Sequence, residues 1–495
     1  MERARATSSS SDSTSHSGTP GGLVRGIGLF ETTAIVIGGV IGTGVFLKAR
    51  VMTCNVETPG MVVAVWLVAG LLSILGALTY AELASLMPRA GGEYVFIREA
   101  YGPLCGFLYG WTRFFVANAG GQAALATGSA IFLNAFTGGA LDKEYFAVPI
   151  LGRTWSVGGI QAVALATLGL VTLVNSASVA VGGRVAGMMT VLKVGLVVGV
   201  GGAALLLAQG DWTNFALSGA AGSCEGVGAA ARGGLAGFGA AMMGALWAYN
   251  GWNEVTYVGG EVRDPQRNLP LALIGGIAAV AALYLFVNAA YFYVLTPAQV
   301  ASVPAASSVA TAVAIRFLGS TATIVMAGAM AASVLGTLQI VTLSNARVPY
   351  AMARDGLFFR SLGMLSARTH VPVRALVMQS AWGAVLILSG SFDTLSDYAI
   401  FAMLLFVALA TSSLFVFRRT APAKDGEYRT WGYPIVPILF LLVCAVLLVN
   451  AVITTPRQAL AGLGLMALGV PFYFYWSSRT PGAAPASGRA KVLNR

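Results

Sequence analysis

The chain alternates long apolar runs with short segments rich in Gly, Pro and charge. Twelve runs are long enough to cross a bilayer as helices, each needing roughly 20 residues for a hydrocarbon core about 30 Å thick. They lie at 28–48, 61–87, 103–135, 157–176, 184–208, 235–258, 270–295, 319–349, 371–389, 395–417, 433–453 and 457–477. An even number of crossings puts both chain ends on one side. The fold class this predicts is an all-α multi-pass membrane protein.

Two runs are interrupted in their middles. In the first, Gly38-Gly39-Val40-Ile41-Gly42-Thr43-Gly44 concentrates glycine at mid-membrane, and each Gly costs a helix on the order of 1 kcal/mol against Ala. In the sixth, Trp247-Ala248-Tyr249-Asn250-Gly251-Trp252 sets an Asn-Gly pair at similar depth, which forms turns better than helix. A break within lipid leaves N–H and C=O groups unpaired, and this is tolerated only where they face protein, water or a ligand. The first and sixth runs head two successive five-run blocks. Broken helices in corresponding positions of two halves point to a transporter binding site. Half-helix ends suit a zwitterion: amides carry partial positive charge for a carboxylate, carbonyls partial negative charge for an ammonium. The amides of Gly42, Thr43 and Gly44 are the expected anion site. Plainer readings stay open beside this one. Gly38 and Gly42 also make a G-xxx-G packing face, and Trp247 and Trp252 could be interfacial belt residues.

Composition agrees with the class. Hydrophobic residues make up 57% of the chain and charged residues 10%, which excludes a single soluble core. The net charge of +11 raises nucleic-acid binding. However, about two thirds of the Lys and Arg fall in alternate loops and the two tails, the positive-inside pattern, so no nucleic-acid partner is expected. Both termini are placed in the cytoplasm, in a cell (inner) membrane. Residues 1–25 read as a disordered cytoplasmic tail and 479–495 as a Gly/Pro/Ala-rich, basic cytoplasmic tail, and no signal-peptide core precedes the first run. Cys105 and Cys444 lie in apolar runs, whereas Cys54 and Cys224 fall in outer loops, leaving a disulfide between them open. With only His16 and His370 and no CxxC, neither a metal site nor a cofactor is expected. No Ser/His/Asp set suggests an enzyme.

Five words in order carry a resemblance: IGGVIGTGVF, AELASLMPRAGGEYVFIREAYG, WAYNGWNE, RDPQRNLPLA and ARVPYAMARDG. From about Gly26 to Ser478 the chain resembles a bacterial member of the L-type amino acid transporters, within the amino acid–polyamine–organocation superfamily. The resemblance implies a LeuT-type fold: one inverted repeat of five helices at 26–208, a second at 235–418, and two further helices at 431–478. It implies alternating access by one bundle rocking against another. It places the substrate carboxylate on the amides of Gly42, Thr43 and Gly44, with Ile41 in the same stretch. The ammonium meets carbonyls near Val40, Trp247 and Asn250, beside Gly251, and Trp247 is an aromatic gate. Asn250 stands where relatives often have Gly, which narrows the pocket towards small or mid-sized neutral amino acids. Animal members tie themselves to a glycoprotein through a Cys in the loop after the third run. Residues 136–156 hold no Cys, so no disulfide-linked heavy subunit is expected, and the partners are the amino acid and the lipid bilayer. Lys193 matches the Lys that many relatives carry where sodium-coupled members bind Na⁺.

Charges inside the runs complete the picture. Lys193 lies about nine residues into the fifth run, roughly 14 Å deep at helical rise, where an ammonium is costly and marks function. Either it stays charged and substitutes for sodium in tying the fifth run to the first, or it gains and loses a proton. The expected function is secondary transport of amino acids, with sodium-independent exchange ahead of proton-coupled symport. A membrane sensor that binds an amino acid without moving it is the alternative of another class. Arg113, inside the third run, is read as structural, pairing with an acid such as Glu82 or Glu31. Glu261, Arg263 and Asp264 are expected to make inner-face contacts that open and close, or to form a solvated turn.

Overall fold

The computed structural model describes residues 23–479 apart from 151–152, 220–221, 305–306, 390–391, 421–427 and 455. The tails expected at 1–25 and 479–495 lie almost wholly outside the described residues.

All twelve apolar runs are helical. The first is split into α1 (Leu29–Val40) and α2 (Gly44–Val56). The second is α3 (Pro59–Leu86), begun by a first-turn proline and by the Thr58 hydroxyl, which accepts from the Met61 amide. A short α4 (Glu93–Tyr101) follows Gly91 and Gly92, both at positive φ. The third run is α5 (Pro103–Thr112), a wide π-helical stretch at Arg113–Asn118, and α6 (Ala119–Phe136). An antiparallel hairpin of β1 (Glu144–Ile150) and β2 (Arg153–Gly158) comes next. The loop reading did not anticipate it, because its strands are far shorter than the apolar runs.

The fourth and fifth runs are α7 (Gly159–Ala177) and α8 (Val179–Leu207). The sixth is α9 (Gly234–Ala248) followed by a 3-10 helix at Trp252–Glu261. Then come α10 (Pro265–Val294) and two short helices within a loop, α11 (Pro297–Ala301) and α12 (Val309–Leu318). The remaining runs are α13 (Ala322–Asn345), continued by α14 (Arg347–Arg354), α15 (Val373–Ser389) and α16 (Phe392–Thr420). The last pair is α17 (Ile435–Thr454) and α18 (Pro456–Ala467) with α19 (Gly469–Ser478).

Equivalent runs of the two blocks pack against one another: α2 on α9, α3 on α10, α6 on α13 and α7 on α15. That pairing is what two five-helix units wrapped about a shared axis produce. The outer surface is apolar, with Leu170, Leu173, Leu442, Val446 and Val449 exposed, as suits contact with lipid. The interior instead holds hydroxyl-bearing aromatics, among them Tyr80, Tyr109, Tyr249, Tyr257 and Tyr284, all buried. The architecture is an all-α multi-pass membrane bundle with one small hairpin, and its polar interior surrounds the two interrupted helices.

Candidate functional site

The first helix stops because Ile41 turns extended, with ψ at 94°, directly after the glycine pair. Its amide still closes the last turn onto Ile37, 2.8 Å. The carbonyls freed by the break are then taken up by side chains. Lys193 Nζ donates to the Gly38 oxygen at 2.6 Å, and the Tyr284 hydroxyl lies 3.2 Å from the Val40 oxygen. Thr337 reaches the Ile41 oxygen at 3.5 Å and Ser333 the Gly42 oxygen at 3.4 Å. The amides are treated differently. Those of Gly42, Thr43 and Gly44 donate to no acceptor among the described residues. They crown α2, where the helix dipole adds positive potential.

The second break faces the first. Helix α9 ends at Ala248, Gly251 holds φ at +111°, and the chain resumes as the 3-10 helix. A Cβ on Gly39 would lie 3.0 Å from the Gly251 oxygen, and one on Gly44 2.7 Å from the Ala248 Cβ. Tyr284 bridges the pair: its hydroxyl is 3.2 Å from the Val40 oxygen and 3.1 Å from the Ala248 oxygen. Its ring packs edge-on to Trp66, which also meets Tyr249. Of the carbonyls expected to receive an ammonium, that of Val40 already meets Tyr284 and that of Trp247 accepts from the Asn250 amide at 3.1 Å. Asn250 is exposed, and Trp247 is 50% exposed, at the rim of the breaks rather than sealed within the bundle.

Lys193 is fully buried and joins three helices. Besides the Gly38 oxygen on α1, its ammonium donates to Thr337 Oγ1 on α13 at 2.7 Å. One turn earlier on α8, the Thr190 hydroxyl donates to the Ala34 oxygen at 2.9 Å. Helix α13 presents a polar ladder, with Ser333 and Thr337 at the first break and Ser344 donating to Glu254 Oε2 at 2.9 Å. Sequence reading missed Tyr284, Ser333 and Thr337. The four-residue spacing of Ser333 and Thr337, which puts both on one face of α13, was the available signal for the last two.

Towards the face that carries residues 23–28, the interior is closed by charge. The expected pairing of Arg113 with Glu82 or Glu31 is wrong. Arg113 instead donates to the Tyr257 hydroxyl and lies 5.0 Å from that ring. Tyr257 and Tyr109 in turn donate to Glu93 Oε2 at 2.7 and 2.6 Å, while Tyr80 and Asn253 donate to Oε1. Glu82 is held by Arg418 at 2.7 Å, and Glu31 accepts the Gly28 amide at the start of α1. Both acids were therefore already engaged. Glu261 makes a buried two-pronged ion pair with Arg347, at 2.9 Å. Around it, Ile27 pairs with the segment of Glu261 to Arg263 like an added strand. Arg263 reaches the Arg25 oxygen, and the Asp264 carbonyl opens α10. Tyr94 and Arg98 both bond Asp355 below α14.

On the opposite face the sulfurs of Cys54 and Cys224 are bonded, which resolves the pairing left open by sequence. The bond ties the end of α2 to the loop leading into α9, and Gly233 N and the Asn55 oxygen add a contact of 2.8 Å.

Comparison with known proteins agrees with this arrangement. The family described as amino acid permease matches residues 27–472. The human b(0,+)-type amino acid transporter 1 is 30% identical, over 92% of this chain and 90% of its own length. The human Asc-type amino acid transporter 1 is 30% identical, over 92% and 84%. The serine/threonine exchanger SteT of Bacillus subtilis is 27% identical, over 92% and 98%. With a family match that runs through both broken helices and into the last span, the chain belongs to the amino acid permease family.

Proposed function

We propose that the chain exchanges neutral amino acids across the membrane by alternating access, independently of sodium. The observation that carries this reading is the run of unpaired amides at Gly42, Thr43 and Gly44, set against the end of α9. A substrate carboxylate fits there, because the amides and the α2 dipole favour an anion. The ammonium takes main-chain oxygens around Val40, Trp247 and Asn250, beside Ile41 and Gly251. Trp247 is the gate, swinging from the rim over the bound amino acid. Asn250 narrows the pocket towards small or mid-sized side chains. The names of relatives support exchange, SteT being a serine/threonine exchanger.

Lys193 is the coupling residue of this reading. Its ammonium ties α1, α8 and α13 together where sodium-coupled members bind Na⁺, so no sodium is required. One observation supports proton-coupled symport as a second reading: the buried Lys193 ammonium is held by two neutral partners, the Gly38 oxygen and Thr337, and makes no ion pair among the described residues.

The face carrying residues 23–28 is the cytoplasmic one in this proposal. The arginines between Arg347 and Arg374 lie on that side, and the disulfide lies on the other, where oxidising conditions favour it. The Glu261–Arg347 pair holds the cytoplasmic side shut in this conformation, and substrate enters past Trp247. With no Cys in 136–156, the chain works without a disulfide-linked heavy subunit.

The test is uptake of labelled amino acid into proteoliposomes. Exchange predicts uptake only into vesicles preloaded with unlabelled amino acid, with sodium irrelevant. Equal uptake into empty vesicles without an ion gradient rejects exchange. Uptake into empty vesicles driven by a pH gradient, and lost in Lys193→Ala, selects symport.

A further inference from the structure

Lys48 lies on the flank of α2 that meets α9, one turn beyond the break. Its stem runs over Gly244, whose Cβ position is 3.8 Å from Lys48 Cδ. Its ammonium stands 4.7 Å from the centre of the Trp247 ring. Trp247 in turn reaches back to Gly44, with a ring carbon 3.4 Å from the Cβ position there. Cation, indole and the first residue of α2 thus form one continuous wall.

One side of this wall is uncovered by other helices, and its chemistry suits water rather than lipid. Trp247 and Asn250 are exposed, and Thr43 and Lys48 are partly so. An ammonium and a carboxamide turned towards lipid at this depth would be expensive, and the same surface leads to Gly42 and Thr43. Lys48 makes no ion pair among the described residues. Arg50, on the same half-helix, donates to the Glu225 main-chain oxygen at 2.8 Å and adds positive charge. The buried acids near the breaks, Glu93 and Glu254, have their own donors on the far side of the breaks.

We propose that Lys48 determines specificity: its ammonium, held on the Trp247 ring at the mouth of the pocket, excludes amino acids with cationic side chains and admits neutral ones. This rests on the exchange reading above. Helix α2 rises about 6 Å between Gly44 and Lys48. A substrate anchored by its carboxylate on the Gly42–Gly44 amides therefore carries a side-chain charge to within roughly 10 Å of that ammonium. At an effective dielectric near 20, such like charges repel enough to weaken binding on the order of tenfold.

The experiment competes labelled neutral amino acid uptake, in preloaded proteoliposomes, with arginine and with norleucine. Norleucine outcompetes arginine by about tenfold or more in the wild type. The ratio collapses towards one in Lys48→Gln, inverts in Lys48→Glu and persists in Lys48→Arg. An unchanged ratio in the Gln and Glu variants overturns the proposal. Because the ratio is taken within each variant, poor folding cancels. For a variant too slow to transport, the same ratio is read from thermal stabilisation by the two amino acids. A wild type that exchanges neutral amino acids but takes arginine equally well removes the role of Lys48 alone. A wild type that exchanges none removes the exchange reading, and this one with it.

Discussion

A Cβ on Gly251 would lie only 2.5 Å from the carbonyl oxygen of Gly39, so the two interrupted helices touch main chain to main chain. Gly251 also holds φ at +111°, a region that side-chain-bearing residues seldom enter. The position needs glycine for both space and conformation. Gly251→Ala carries strain on the order of 1–3 kcal/mol before any clash is counted. It is expected to abolish exchange in protein that still reaches the membrane, measured as uptake per purified transporter. Uptake within twofold of wild type would mean the breaks do not meet as described.

Lys193 satisfies a carbonyl that only the break in α1 makes available. Removing its ammonium leaves the buried Gly38 oxygen and Thr337 without a strong donor, at about 1–3 kcal/mol for an unsatisfied buried group. Lys193→Ala is therefore expected to lower exchange at least about tenfold at every sodium concentration. Full activity in that variant would remove Lys193 from the coupling scheme.

The disulfide closes a segment of 170 residues between the end of α2 and the loop before α9. Cross-links of this kind stabilise by about 2–4 kcal/mol. A reducing agent, or Cys54→Ala with Cys224→Ala, is expected to lower Tm by a few degrees, with neither treatment adding to the other. An unchanged Tm would show that the bond contributes nothing to holding α2 and the loop before α9 together.

Glu261 and Arg347 are both fully buried and satisfy each other. Deleting one charge strands the other, at about 3–5 kcal/mol, whereas replacing both together is far milder. Glu261→Gln and Arg347→Met should each lower Tm clearly, and the double variant should recover much of the loss. Strictly additive losses would show that the two side chains do not act as a pair.

Much of this was readable from the chain. The apolar runs fixed the helices because a bilayer demands a minimum length, and glycine at Gly38–Gly44 and Asn-Gly at Asn250–Gly251 located the breaks. What escaped depends on partners far apart in sequence. Tyr284 reads as one more apolar position in α10 until Val40 and Ala248 arrive on either side of its hydroxyl. Arg113 had several acids to choose from, and nothing local pointed to Tyr257 and the Glu93 cluster beyond it. The hairpin of β1 and β2, and the short helices α11 and α12, fall below the length at which hydrophobic runs are informative.

The carboxylate-binding role of the Gly42–Gly44 amides is tested most directly by competing labelled amino acid exchange with alanine and with alaninamide, which differ only at the carboxyl group. Charge-assisted hydrogen bonds lost at three main-chain donors should weaken the amide at least about tenfold. Alaninamide competing as well as alanine would contradict the assignment.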